Sequence, residues 1–76
     1  MACQQKREIT NRIVVLRAER GISQKDLAKQ LGVSRQTILS LEKNRYNPSL
    51  KLAFDIACFF DVELTDVFTY EIKEEN

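Results

Sequence analysis

Gln24-Lys25-Asp26-Leu27-Ala28-Lys29-Gln30-Leu31-Gly32-Val33-Ser34-Arg35-Gln36-Thr37-Ile38-Leu39-Ser40-Leu41-Glu42-Lys43 decides how this chain is read. It encodes two short amphipathic helices that meet at a glycine. Ser23 stands before the first as its N-cap, and Asp26 follows three residues later in a variant of the capping-box pattern. Leu27, Ala28 and Leu31 supply the inward face. Gly32 stops the helix where the chain must turn sharply, and Val33 plugs the junction. Ser34 caps the second helix, whose buried stripe is Ile38 and Leu41. Its outward head carries Arg35, Gln36 and Thr37, hydrogen-bonding side chains suited to reading base edges in a DNA major groove.

Outward from this core, the spacing predicts a first helix from Asn11 to about Arg20. Ile13 and Leu16 point inward and Gly21 serves as a left-handed cap. Val14 and Val15 blur its periodicity and suggest a second surface. Asn44 to Pro48 form a polar loop, and Ser49 caps a fourth helix that is expected to bury Leu50, Ala53, Ile56, Ala57 and Phe60. A short fifth helix spans about Leu64 to Val67, capped by Glu63 or Asp61. Phe68-Thr69-Tyr70-Glu71-Ile72 alternates apolar and polar with period two and reads as a strand. Glu8-Ile9-Thr10 is the only other extended candidate. The two pair within one chain and extend into a sheet across a dimer, or Phe68 packs on the helices and the rest frays; the sequence leaves both open.

Seventy-six residues make one domain near the lower size limit for a single unstapled core. Oligomerisation is one natural source of added stability at this size. Two cysteines, Cys3 and Cys58, are too few for a disulfide framework. Cys58 lies in an apolar run and is expected to be buried. A reducing, cytoplasmic setting fits best. No apolar run approaches the roughly 20 residues that span a bilayer, and the start lacks the apolar stretch of a signal peptide. The chain contains no histidine, and its few Ser and Cys residues have no evident partner base. These features point away from an enzyme and from a metal site. Net charge is +1, but it is unevenly distributed. Residues 1–51 carry eleven Lys/Arg against four Asp/Glu, whereas residues 52–76 carry one against seven. A cationic face on the first two thirds and an anionic end follow.

The chain resembles the Cro/C1-type, or XRE-like, helix-turn-helix regulators. The likeness rests on Arg17, the run from Ser23 to Ala28, Leu31-Gly32-Val33-Ser34, Ile38 and Leu41-Glu42-Lys43. Val33 to Ile38 and Glu42 to Leu50 narrow it to short stand-alone regulators similar to the enterococcal cytolysin repressor. The resemblance implies an all-α fold, a five-helix lambda-repressor-like bundle, with a possible small antiparallel sheet from the chain ends. The expected organisation is a flexible tail over 1–7, a helix-turn-helix domain over 8–68, and a strand with an acidic tail over 69–76. It also implies a homodimer on double-stranded DNA. Residues 1–7 are an addition to the family pattern.

Residue roles follow from the helix placement and the resemblance together. Arg35 can donate twice to guanine and Gln36 can pair with adenine. Thr37, Leu39 and Ser40 complete the set expected to meet bases, Leu39 by touching a thymine methyl or merely as an exposed apolar residue. Gln24, Ser34, Lys43, Asn44, Arg45 and Tyr46 are expected on phosphates. The resemblance pairs Arg17 with Glu42 as a structural salt bridge. Ile9, Phe68, Tyr70 and Ile72 are the expected dimer contacts. The implied function is sequence-specific transcriptional regulation, by repression, at a near-palindromic operator. The alternative is an antitoxin or interaction adaptor with autoregulatory DNA binding. No cofactor, metal, membrane or small-molecule ligand is expected.

Overall fold

The computed structural model describes residues 7–72. Strand β1 (Arg7–Asn11) leads into helices α1 (Ile13–Arg20), α2 (Gln24–Leu31), α3 (Arg35–Glu42), α4 (Leu50–Phe60) and α5 (Leu64–Val67), and the described residues end with β2 (Phe68–Ile72). Five helices with a two-stranded antiparallel sheet match the expected architecture. The expected tail over 1–7 lies outside the described residues except for Arg7, which instead opens β1.

Three serines start three helices by the same device. Ser23, Ser34 and Ser49 have extended backbones, and their hydroxyls accept the N–H of Asp26, Thr37 and Leu52, respectively. Each satisfies one of the donors a helix start leaves unpaired. Four helix ends are alike too. Gly21, Gly32, Asn44 and Asp61 all sit in the left-handed region, with φ of 64°, 72°, 57° and 57°. At each, two consecutive N–H groups return to the last turn: Gly21 and Ile22 to Ala18 and Arg17, Gly32 and Val33 to Lys29 and Ala28, Asn44 and Arg45 to Leu41 and Ser40, Asp61 and Val62 to Cys58 and Ala57. This is the Schellman ending, and Ile22, Val33 and Val62 add the apolar contact that accompanies it by packing on the core. Asp61 therefore ends α4. Glu63 is the residue that caps α5, in a reciprocal box with Asp66.

The core is built from Ile13, Leu16, Leu27, Ala28, Ile38, Leu41, Leu52, Ile56, Ala57, Phe60 and Val67. Three expectations need correction. First, α1 does not begin at Asn11, which is the last residue of β1; the Asn11 side-chain oxygen instead accepts the Ile13 N–H at 3.1 Å and marks where the helix starts. Second, Leu50 is 70% exposed, and Leu52 takes the buried place. The buried stripe of α4 centres on Ile56 and Phe60, whereas Leu50, the first residue of the helix, lies about 100° around from it and faces the groove beside the sheet rather than the core. Third, Cys58 is exposed, because the same geometry places it on the far side of α4.

The strands pair within the chain, with Arg7 opposite Ile72, Ile9 opposite Tyr70, and Asn11 opposite Phe68. Phe68 also packs on the helical core, so strand pairing and core docking coexist. Directly opposed residues share a face. One face thus carries Ile9, Tyr70 and Ile72, which are 41%, 58% and 50% exposed. The other carries Thr10 and Thr69, whose hydroxyls meet at 2.5 Å, and the opposed pair Glu8 and Glu71. A groove of about 320 Å³, lined by Ile9, Asn47, Pro48, Leu50, Ala53, Leu64 and Phe68, runs beside the sheet.

Candidate nucleic-acid interface

Helix α3 lies against α2 with Ile38 and Leu41 buried. At 100° per residue, Gln36 and Lys43 stand opposite that stripe, while Arg35, Leu39 and Ser40 flank them. Arg35 and Gln36 are exposed; Thr37, Leu39 and Ser40 are half-buried. Among the described residues, the Arg35 and Gln36 side chains have no hydrogen-bond or ion-pair partner. Ser34 and Thr37 are engaged locally, since their hydroxyls lie 2.9 Å apart and the Ser34 oxygen also accepts the Thr37 N–H. The head of α3 thus offers two long, uncommitted side chains from a capped, packed backbone.

The other end of α3 is fixed by charge. Arg17 Nε donates to Glu42 Oε2 at 2.6 Å, and Nη2 donates to Oε1 at 3.3 Å. Arg17 Nη1 donates to the Ile22 carbonyl at 3.1 Å. Gln24 Nε2 adds a 2.8 Å bond to Glu42 Oε1. The Glu42 side chain is only 5% exposed, and Arg17 18%. Three elements, α1, α2 and α3, therefore meet on one carboxylate, in the two-pronged geometry that makes Arg–carboxylate pairs directional. The Gln24 amide nitrogen is thereby committed inside the protein. Its backbone N–H remains at the start of α2, where the positive end of the helix faces outward.

After α3 the chain presents Lys43, Asn44, Arg45 and Tyr46, all exposed. Lys25 and Lys29 are exposed on α2. Cations therefore surround the α2–α3 unit, while Asp55, Asp61, Glu63, Asp66 and Glu71 lie on α4 through β2. The charge division noted in the sequence becomes a spatial one. Of the expected dimer contacts, Ile9 and Phe68 line the groove, and Tyr70 and Ile72 continue it along the sheet; Arg7 stacks 5.3 Å above the Tyr70 ring.

Sequence reasoning missed two anchors. Arg20 Nη2 donates to the Phe60 carbonyl at 2.5 Å with its guanidinium over the Phe60 ring, tying α1 to the end of α4. Asn11 Nδ2 donates to the Leu41 carbonyl at 2.7 Å and to Asn44 Oδ1 at 3.0 Å. An Asn two residues before a helix start was a signal for the local turn to Ile13. Nothing local pointed to partners some thirty residues away.

Comparison with known proteins agrees with this geometry. The helix-turn-helix family profile matches residues 15–67. An HTH-type transcriptional regulator of Methanocaldococcus jannaschii is 56% identical over 64 residues, covering 84% of this chain and 97% of that one. The immunity repressor protein of Bacillus phage phi105 is 33% identical over 70 residues, covering 90% of this chain and 49% of the repressor. The restriction-modification controller protein C.AhdI of Aeromonas hydrophila superposes with a TM-score of 0.65 at 30% identity, over 71% of this chain and 78% of that one. No helix among the described residues is long and apolar enough to cross a membrane. The chain belongs to the Cro/C1-type helix-turn-helix family, a family of DNA-binding transcriptional regulators rather than enzymes.

Proposed function

We propose that this protein is a sequence-specific repressor that binds a near-palindromic operator as a homodimer in the cytoplasm. The observation that carries the reading is the pairing of two free side chains, Arg35 and Gln36, with a rigidly braced α3. In this reading Arg35 donates to guanine O6 and N7, and Gln36 pairs with adenine N6 and N7. Thr37, Leu39 and Ser40 border the same base pairs. Lys43, Asn44, Arg45 and Tyr46 lie along the phosphates and fix register. The start of α2 at Gln24 and the cap at Ser34 offer backbone N–H groups to further phosphates. Repression is favoured because a reader bound in the groove can act simply by occluding its site, and the likeness to a phage immunity repressor supports it.

The homodimer rests on apolar surface. Ile9, Tyr70 and Ile72 on the sheet are continuous with Leu50, and Phe54 is 53% exposed on the adjoining helix. Such a patch on a small domain is the mark of an association surface. A second copy seated there gives the twofold axis, with half-sites about one helical turn (~34 Å) apart.

Selection of bound duplexes from random DNA tests this. A two-fold-symmetric site is expected. On it, Arg35→Ala should weaken binding roughly 5- to 150-fold and relax preference at one position, whereas Arg45→Ala should weaken all duplexes alike. Enrichment of no site, or an Arg35→Ala protein with unchanged affinity and preference, overturns the proposal.

A further inference from the structure

Asn11 uses its side-chain amide in three directions at once. The oxygen accepts the Ile13 N–H at 3.1 Å, and the nitrogen donates to the Leu41 carbonyl at 2.7 Å and to Asn44 Oδ1 at 3.0 Å. Both nitrogen protons are therefore used. These bonds join the end of β1, the start of α1 and the Schellman ending of α3.

Asn11 is itself held firmly. It pairs with Phe68 across the sheet, and the next residue, Arg12, donates its N–H to the Val67 carbonyl at 2.9 Å. What it grips is the hinge between α3 and the segment beyond. Asn44 occupies the left-handed region that glycine fills after α1 and α2. The Leu41 carbonyl already accepts the Asn44 N–H at 3.0 Å, and Asn11 adds a second donor to the same oxygen. The backbone turn at Asn44 is therefore fixed from within by the helix ending and from outside by a strand. Lys43 and Arg45 stand on either side of it.

We infer that Asn11 is a positioning residue for the phosphate-binding segment. It holds the turn at Asn44, so that Lys43 and Arg45 meet the DNA backbone from a fixed main chain. The inference rests on the DNA-binding reading above. Its physical content is preorganisation: a segment already ordered loses less conformational freedom when it binds. The effect should be electrostatic in its signature although Asn11 carries no charge. If the segment loosens, fewer phosphates are neutralised, and the dependence of affinity on salt becomes shallower.

Asn11→Ser separates this role from helix initiation. The short hydroxyl can still accept the Ile13 N–H, as serines do at helix starts, but cannot reach Leu41 and Asn44. Binding to a mixed-sequence DNA duplex would be measured across a salt series for wild type, Asn11→Ser and Arg45→Ala. Both variants should bind several-fold more weakly, with the slope of log K against log salt reduced by about one. A slope reduced in Arg45→Ala but unchanged in Asn11→Ser overturns the inference and leaves the DNA reading intact. Unchanged slopes in both remove the phosphate role of the segment, and the inference with it. Wild-type protein gives a second test that no folding defect can obscure. The Asn11 side-chain amide protons should exchange slowly with solvent by NMR; rapid exchange overturns the inference.

Discussion

Glu42 holds its charge almost entirely out of water, and this is tolerable only because Arg17 and Gln24 satisfy both of its oxygens. Taking such a pair out of water offsets much of its attraction, so its value lies in orientation more than in net stability. Removing one partner is a different matter. Arg17→Ala should cost about 3 kcal/mol or more, because a buried carboxylate is left with one amide donor. In a domain of this size that is a large part of the total. Combining Arg17→Ala with Glu42→Ala should cost less than the two single losses added together, as urea unfolding of all four proteins would reveal. Simple additivity would mean that the pair is not coupled as the geometry requires. At the same scale, the exposed Arg35 and Gln36 differ from Thr37 and Glu42 of the same helix in having nothing to hold among the described residues. Uncommitted donors on a rigid helix suit a surface that completes its hydrogen bonds on a ligand.

Helices here begin and end by repeated chemistry. Serine caps start α2, α3 and α4, and left-handed residues end α1 through α4. Glycine fills two of the left-handed positions and Asn44 and Asp61 the others, since short polar side chains tolerate that conformation. An added Cβ at Gly32 would meet no atom within 4 Å, so Gly32→Ala tests the backbone alone. It should destabilise the protein by about 1 kcal/mol, read as a lower urea midpoint with an unchanged slope. An unchanged midpoint would mean that the left-handed turn carries no strain for alanine. The glycine endings were legible in the sequence because glycine is the usual occupant. The Asn44 and Asp61 endings were not, because both residues are equally at home in ordinary loops.

At the scale of the molecule, the apolar surface from the sheet to α4 sets the expected assembly. Leu50→Asp probes it without entering the core, because Leu50 is 70% exposed. An aspartate in the first turn of α4 also suits the positive end of the helix, so folding should be kept or slightly improved. Sedimentation equilibrium should show a dimer in wild type and a monomer in the variant. Affinity for a full operator should fall more than tenfold, while half-site binding is retained. A wild-type protein that sediments as a monomer at operator-binding concentrations would refute the dimer.

The sequence by itself determined the helix-turn-helix. Its information is local there: caps, apolar stripes and glycine ends act over three or four residues, and each can be read where it stands. It also marked the two strands, through alternation in Phe68–Ile72 and a single apolar residue in Glu8-Ile9-Thr10. Only the tertiary structure decided that these strands pair within one chain, because register depends on where the helices bring the two ends. Tertiary packing also chose Leu52 over Leu50 for the core and turned Cys58 outward, since a helix such as α4, with apolar residues on several sides, does not announce which side will be covered. The Asn11 anchor belongs wholly to that level. Its partners lie thirty and thirty-three residues away, and a hydrogen bond over such a separation exists only once the fold has brought its two ends together.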